Sequence, residues 1–228
     1  MYGRAIARPA ARVLGLPQTT KLRCQMKIEF HFDFGSPNAY LTHLVIPEIE
    51  KRLGIEFEYV PILLGGVFKL TNNASPAETL AGIRNKVEYQ EIETRRFIKK
   101  HKITKFKRNP FFPVNTLKLM RGAASLLGED DFRHYVDQIF MHMWEEPKKM
   151  DEDAIFRTAL ISSGLPAQKI LESVIQPEIK SRLLHLTSQS VEKGTFGSPT
   201  FFLDDEIFFG KDKLADLEDA IETKIGRQ

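Results

Sequence analysis

The sequence predicts an α/β protein, and three observations carry that expectation. The chain opens with an alternating apolar run, a helical stretch and a second apolar run. Residues 78–190 show almost no strand pattern. The chain then closes with two short β-type runs and a helix. The order is β-α-β, a long helical insertion, then α-β-β-α. At 228 residues, 42% of them hydrophobic and 28% charged, the composition suits one large globular domain or two small ones.

The first strand is read from Ile28, Phe30, Phe32 and Phe34, which alternate with Lys27, Glu29, His31 and Asp33. A period of two predicts a strand with one buried face. Gly35 stops it. Ser36-Pro37 has the grammar of a helix start, with serine as N-cap and proline in the first helical position. The helix over 38–53 carries Tyr40, Leu41, Leu44, Val45 and Ile49 at helical spacing, with Pro47 predicting a kink and Gly54 its end. Residues 55–64 predict a second strand, parallel to the first across the intervening helix. A Gly/Asn/Ser loop is expected over 65–76. Helices are expected over 78–101, 115–127, 130–144, 151–163, 167–174 and 177–193. Residues 200–203 and 206–209 predict a hairpin turning at Asp204-Asp205, and Asp212 is placed to cap a last helix over 213–225.

Composition excludes several classes. No run of 18 apolar residues is present, so no membrane span is expected. A single cysteine, Cys24, excludes a disulfide framework, a cysteine zinc site and any intrachain dithiol couple. The six histidines show no metal spacing. Five of the 33 basic residues lie in residues 1–25, which hold no acid, so the remaining chain is nearly neutral and no nucleic-acid partner is expected. Eight Lys or Arg between Arg95 and Arg108 read as a solvated helix face or a contact for an anionic partner. Residues 1–25 read as a tag, a mis-start or an Arg-rich leader.

The stretch Asp33-Phe34-Gly35-Ser36-Pro37-Asn38-Ala39-Tyr40-Leu41 resembles the opening motif of the 2-hydroxychromene-2-carboxylate isomerases, DsbA-like proteins related to kappa-class glutathione transferases. Four further stretches are similar: 64–69, 112–116, 196–202 and 209–214. The likeness runs from about residue 27 to 225. It implies a thioredoxin-like (DsbA/kappa-type) sheet with a large inserted α-helical domain. The expected division is a basic N-terminal extension over 1–25, the first part of the thioredoxin-like domain over 26–76, the helical domain over 77–190, and the second thioredoxin-like part over 191–228.

The resemblance also implies roles. Oxidoreductase relatives carry Cys-x-x-Cys where this chain has Ser36-Pro37-Asn38-Ala39, so dithiol exchange is impossible here. Ser36 would stabilise the thiolate of bound glutathione at a helix N-terminus; its other reading is a plain N-cap. Ser198 would offer its backbone to the ligand beside a cis Pro199, or Pro199 simply opens an edge strand. Gly210, Lys211 and Asp212 would hold the γ-glutamyl end, Asp212 pairing with its ammonium or serving only as a cap. Lys69, Asn72, Asn73, Lys86 and Tyr89 would hold the second substrate, with Asn73 a better match than Asn72. Solvated lysines and a packing tyrosine are the plainer alternatives. Asn115 reads as a helix cap or a cleft residue.

The activity implied is glutathione-dependent isomerisation of 2-hydroxychromene-2-carboxylate to trans-o-hydroxybenzylidenepyruvate, or of a similar aromatic or pyruvate-bearing small molecule. A kappa-like transferase and a non-catalytic thiol-ligand scaffold are the alternatives. Glutathione is the expected cofactor, with no metal and no membrane partner. A homodimer is expected. The expected compartment is the cytoplasm, or the mitochondrion if residues 1–25 are a leader.

Overall fold

The computed structural model describes residues 26–80 and 82–226; the expectations for residues 1–25 lie outside them. Strand β1 (Ile28–Phe32) pairs in parallel with β2 (Glu58–Pro61) and antiparallel with β3 (Thr200–Leu203). β3 pairs antiparallel with β4 (Glu206–Phe209), giving the order β2-β1-β3-β4. β1 is therefore an interior strand. The expected single buried face is corrected: all five of its residues are buried. The reason is a helix over the polar-parity face. His31 Nδ1 meets Ser190 Oγ at 2.7 Å and His31 Nε2 meets Glu29 Oε2 at 3.1 Å, while Lys193 also pairs with Glu29. Buried polar groups are satisfied there by each other.

The first helix, α1 (Pro37–Leu53), has Ser36 as N-cap and Pro37 in its first turn, continues through Pro47, and ends at left-handed Gly54. Two expectations change after β2. The loop foreseen over 65–76 begins as a helix, α2 (Leu64–Thr71), closed by Asn72 at φ 53°. Gly66 explains how it packs: a Cβ there would lie 3.1 Å from Thr187 Cγ2, so glycine lets α2 approach the helix that carries Thr187. The single helix foreseen over 78–101 is two, α3 (Pro76–Thr79) and α4 (Lys86–Lys100), and the left-handed Asn85, φ 69°, interrupts the helical backbone just before α4. The remaining insertion helices are α5 (Leu117–Leu126), α6 (Phe132–Trp144), α7 (Asp153–Ser162), α8 (Ala167–Ser173) and α9 (Pro177–Glu192), each within two residues of expectation.

Asp212 is not the cap of the last helix. It lies inside a 3₁₀ turn, Lys211–Lys213, that runs into α10 (Leu214–Gly226). One continuous apolar core joins Phe30, Phe32 and Phe201 of the sheet to Tyr135, Phe140 and Trp144 of the helices. Among the described residues, no helix is long and apolar enough to cross a membrane.

Candidate active site

The site is a corner where β1 gives way to α1. Ser36 N–H donates to Asp33 O at 3.0 Å, which closes a tight turn. Ser36 Oγ accepts from Ala39 N at 3.2 Å and donates to Ser198 O at 2.8 Å. The hydroxyl thus caps α1 and bridges to the loop before β3 in one stroke. Trp144 Nε1 holds the turn from the helical side by donating to Phe34 O at 2.8 Å.

The facing loop is equally determined. The Ser198–Pro199 peptide is cis, and so is Phe112–Pro113. Ser198 Oγ accepts from Asp33 N at 3.1 Å. Among the described residues the Ser198 N–H finds no acceptor, which leaves a donor for an extended ligand backbone. Gly210 N donates to Pro199 O at 2.9 Å, so the Gly210–Asp212 turn is tied directly to this loop. Lys211 is buried, with its ammonium paired to Asp212. Ser36, Ser198, Pro199, Gly210, Lys211 and Asp212 therefore form one connected group.

The residues expected to hold a second substrate are more dispersed. Lys69 is exposed near the end of α2, and Asn72 is that helix's left-handed C-cap. Asn73 reaches the corner's loop: its Nδ2 donates to Phe196 O at 2.9 Å. Lys86 and Tyr89 stand in the first turns of α4, with Tyr89 53% exposed, and neither bonds to the Ser36 corner. Asn115 accepts from Leu117 N at 3.0 Å, a capping contact at α5.

Asp33 is the residue that sequence pattern passed over. Its carboxyl is fully buried beneath the corner and accepts from Gly35 N and Leu64 N, each at 2.8 Å. Burial pushes the carboxyl up from its ordinary value, against the pull of hydrogen bonds from Leu64, Gly35 and Thr116. The parity of β1 assigned Asp33 to the opposite face from Phe34. The strand ends at Phe32, so that parity no longer applies. An acid two residues before a Gly-Ser-Pro turn is the sequence signal for it.

Residues 27–222 match the family of DSBA-like thioredoxin domains. The chain belongs to that family. Within this DsbA-like family, it is similar to the 2-hydroxychromene-2-carboxylate isomerase of Sphingobium xenophagum, 28% identical over 84% of this chain and 95% of the relative. It is also similar to glutathione S-transferase kappa 1 of Caenorhabditis elegans, 26% identical over 84% of this chain and 90% of the relative. Among solved structures, a selenomethionine 2-hydroxychromene-2-carboxylate isomerase matches with a TM-score of 0.75 and 23% identity, over 86% of this chain and 95% of the other. That structural likeness establishes the shared thioredoxin-like fold with its helical insertion.

Proposed function

We propose that this DsbA-like chain is a glutathione-dependent isomerase of 2-hydroxychromene-2-carboxylate or a closely similar aromatic pyruvate. The observation that carries the reading is the Ser36 corner: a hydroxyl at a helix N-terminus stands where oxidoreductases of this fold place a thiol, opposite a free Ser198 N–H. The names of the similar isomerases support the reaction class. The residues suit glutathione. The Ser198 N–H is a donor for its cysteinyl backbone, and the Lys211–Asp212 turn presents the exposed Asp212 carboxylate to its ammonium.

When bound, glutathione supplies a thiolate that adds reversibly to the conjugated substrate and is regenerated. The chain's own residues do the rest. Ser36 Oγ and the N-terminal N–H groups of α1 stabilise negative charge at the corner. Asp212 takes the ligand ammonium. Lys69, Lys86 and the amides of Asn72 and Asn73 are the groups proposed for the substrate carboxylate, with Tyr89 alongside. A homodimer in the cytoplasm completes the proposal.

A kappa-like transferase is the second reading, favoured by the similarity to the kappa-class enzyme. Incubating the protein with glutathione and substrate, then measuring both product and free glutathione, separates them. Isomerised product with glutathione conserved is the expected result. Stoichiometric loss of glutathione to a conjugate establishes the transferase instead. No binding at millimolar glutathione removes both.

A further inference from the structure

Phe34, two residues before Ser36, is held by the helical insertion through its N–H, its C=O and its ring. β1 ends at Phe32, so the Phe34 N–H lies past the strand ladder, and among the described residues it meets no backbone acceptor. Its partner is a sulfur: Phe34 N donates to Met120 Sδ of α5 at 3.4 Å. The Phe34 carbonyl accepts from Trp144 Nε1 of α6 at 2.8 Å. The ring packs edge-on against Tyr135 and Phe140 of α6, with centroids 6.0 and 4.9 Å away. All five side chains are buried.

The sulfur is the informative choice. A thioether is a weak acceptor, but a buried N–H with no partner is costly. Leucine would fill the same space, so packing alone does not call for methionine at 120. The carbonyls of α5 are engaged within the helix, and that of Leu119 also receives the Tyr135 hydroxyl at 2.8 Å. Met120 Sδ is what α5 has left to offer the turn. Ser36 then depends on Phe34 through two bonds of backbone: its N–H closes the turn on Asp33 O, and its Oγ must meet both Ala39 N and Ser198 O. A rotation at Phe34 would carry the Ser36 hydroxyl and the first N–H groups of α1 with it.

We infer that Met120 and Trp144 are positioning residues for the Ser36 corner: by holding the Phe34 N–H and C=O they fix where the Ser36 hydroxyl and the α1 N-terminus stand. This rests on the proposed use of a glutathione thiolate at that corner. Both residues act through Phe34. The insertion therefore sets the geometry of the thiol site as well as packing beside it, since α5 supplies one contact and α6 the other.

The test uses Met120→Leu, which keeps the volume and removes the acceptor, and Trp144→Phe, which keeps a ring and removes the donor. Met143→Leu is the control, a buried methionine of α6 in the same core. Hydrogen exchange at the Phe34 amide of the ligand-free protein reads the contact directly. Met120→Leu should speed it about two- to tenfold relative to the amides of β1, the range for one lost hydrogen bond, and Met143→Leu should not. With glutathione and substrate, Met120→Leu and Trp144→Phe should each lower kcat about five- to a hundredfold, as expected when a reacting group is misplaced. The apparent pKa of the bound thiolate should rise, while the substrate KM stays nearly as it was. The inference is overturned if Phe34 exchange in Met120→Leu matches wild type. It is equally overturned if exchange speeds up while kcat and the thiolate pKa hold, or if Met143→Leu slows turnover as much as Met120→Leu, which marks general packing. Should Trp144→Phe fail to fold, Met120→Leu decides the matter alone. A wild type that binds no glutathione sinks the proposed function together with the inference; normal wild-type turnover with an indifferent Met120→Leu sinks the inference only.

Discussion

Ser36 Oγ donates its proton to Ser198 O across 2.8 Å while accepting from Ala39 N. A serine hydroxyl has one proton to give. A thiolate at this corner must therefore compete with the Ser198 carbonyl for it, and the hydroxyl must rotate to serve the sulfur. The same bond also ties the two sides of the site together, so capping and thiolate stabilisation draw on a single group.

Ser36→Ala separates those roles. Loss of the cap should cost about 0.5–2 kcal/mol of stability. Loss of the donor should raise the apparent pKa of bound glutathione and slow turnover by roughly ten- to a thousandfold. Glutathione binding should persist through the backbone and the Lys211–Asp212 turn. Ultraviolet titration of the bound thiolate, with the pH profile of turnover, reads both effects. An unchanged thiolate pKa would show that Ser36 is a cap and nothing more.

Asp33 secures the floor of the corner. In Asp33→Asn one oxygen becomes an amide NH₂ facing either the Gly35 or the Leu64 N–H, both of which are donors. A buried donor left without an acceptor costs about 1–3 kcal/mol. Equilibrium denaturation should register that loss. Activity should fall as well, because Leu64 begins the helix that leads to Asn73.

Gly122 gives a packing test with a definite sign. Helix propensity alone favours Gly122→Ala by about 1 kcal/mol. In the fold, the new Cβ would lie 2.1 Å from Tyr135 Oη and 2.6 Å from its ring carbon Cζ. Tyr135 is fully buried and its hydroxyl donates to Leu119 O at 2.8 Å, so it has nowhere to move. The expected outcome is a loss of about 1–3 kcal/mol or more from overpacking, partly relieved by Tyr135→Phe. A stabilised Gly122→Ala variant would contradict this packing.

The Glu29–His31 network predicts how stability follows pH. Burial by itself would raise the Glu29 carboxyl, but hydrogen bonds from His31, Lys193 and Lys27 outweigh it and hold the group well below the usual carboxylate range. Such a group contributes fully above its unfolded value, near 4.5, and its contribution is lost as pH falls toward the depressed value. Burial also lowers His31, so protonation below about 6.5 works against the fold in the same direction. Denaturant unfolding should show stability declining from pH 7 to about pH 3. Glu29→Gln should cost about 1–3 kcal/mol at pH 7 and flatten the part of the decline below 4.5.

Local pattern was enough for the α/β order, the serine in place of a thiol pair, and the extents of α5 to α9. Those features are local: periodicity, proline and glycine positions, and residue identity at one turn. It also determined that residues 27–222 carry a recognisable family pattern. Which polar residues are buried depends on long-range packing. Glu29, His31 and Asp33 look solvent-facing by strand parity, yet α9 covers the first two and the corner encloses the third. Tertiary contact also turned the first part of the expected 65–76 loop into α2, because the Leu64 N–H is anchored by Asp33 and Gly66 fits closely against Thr187. Asp212 moved from helix cap to cleft wall for a similar reason. Gly210 bonds back to Pro199, so the chain enters α10 through a tight 3₁₀ turn that no local pattern specifies. Lys100 and Asp212 line one cleft only because packing brings α4 beside that turn. Contacts across so many residues depend on the packed core, and neither local propensity nor periodicity encodes them.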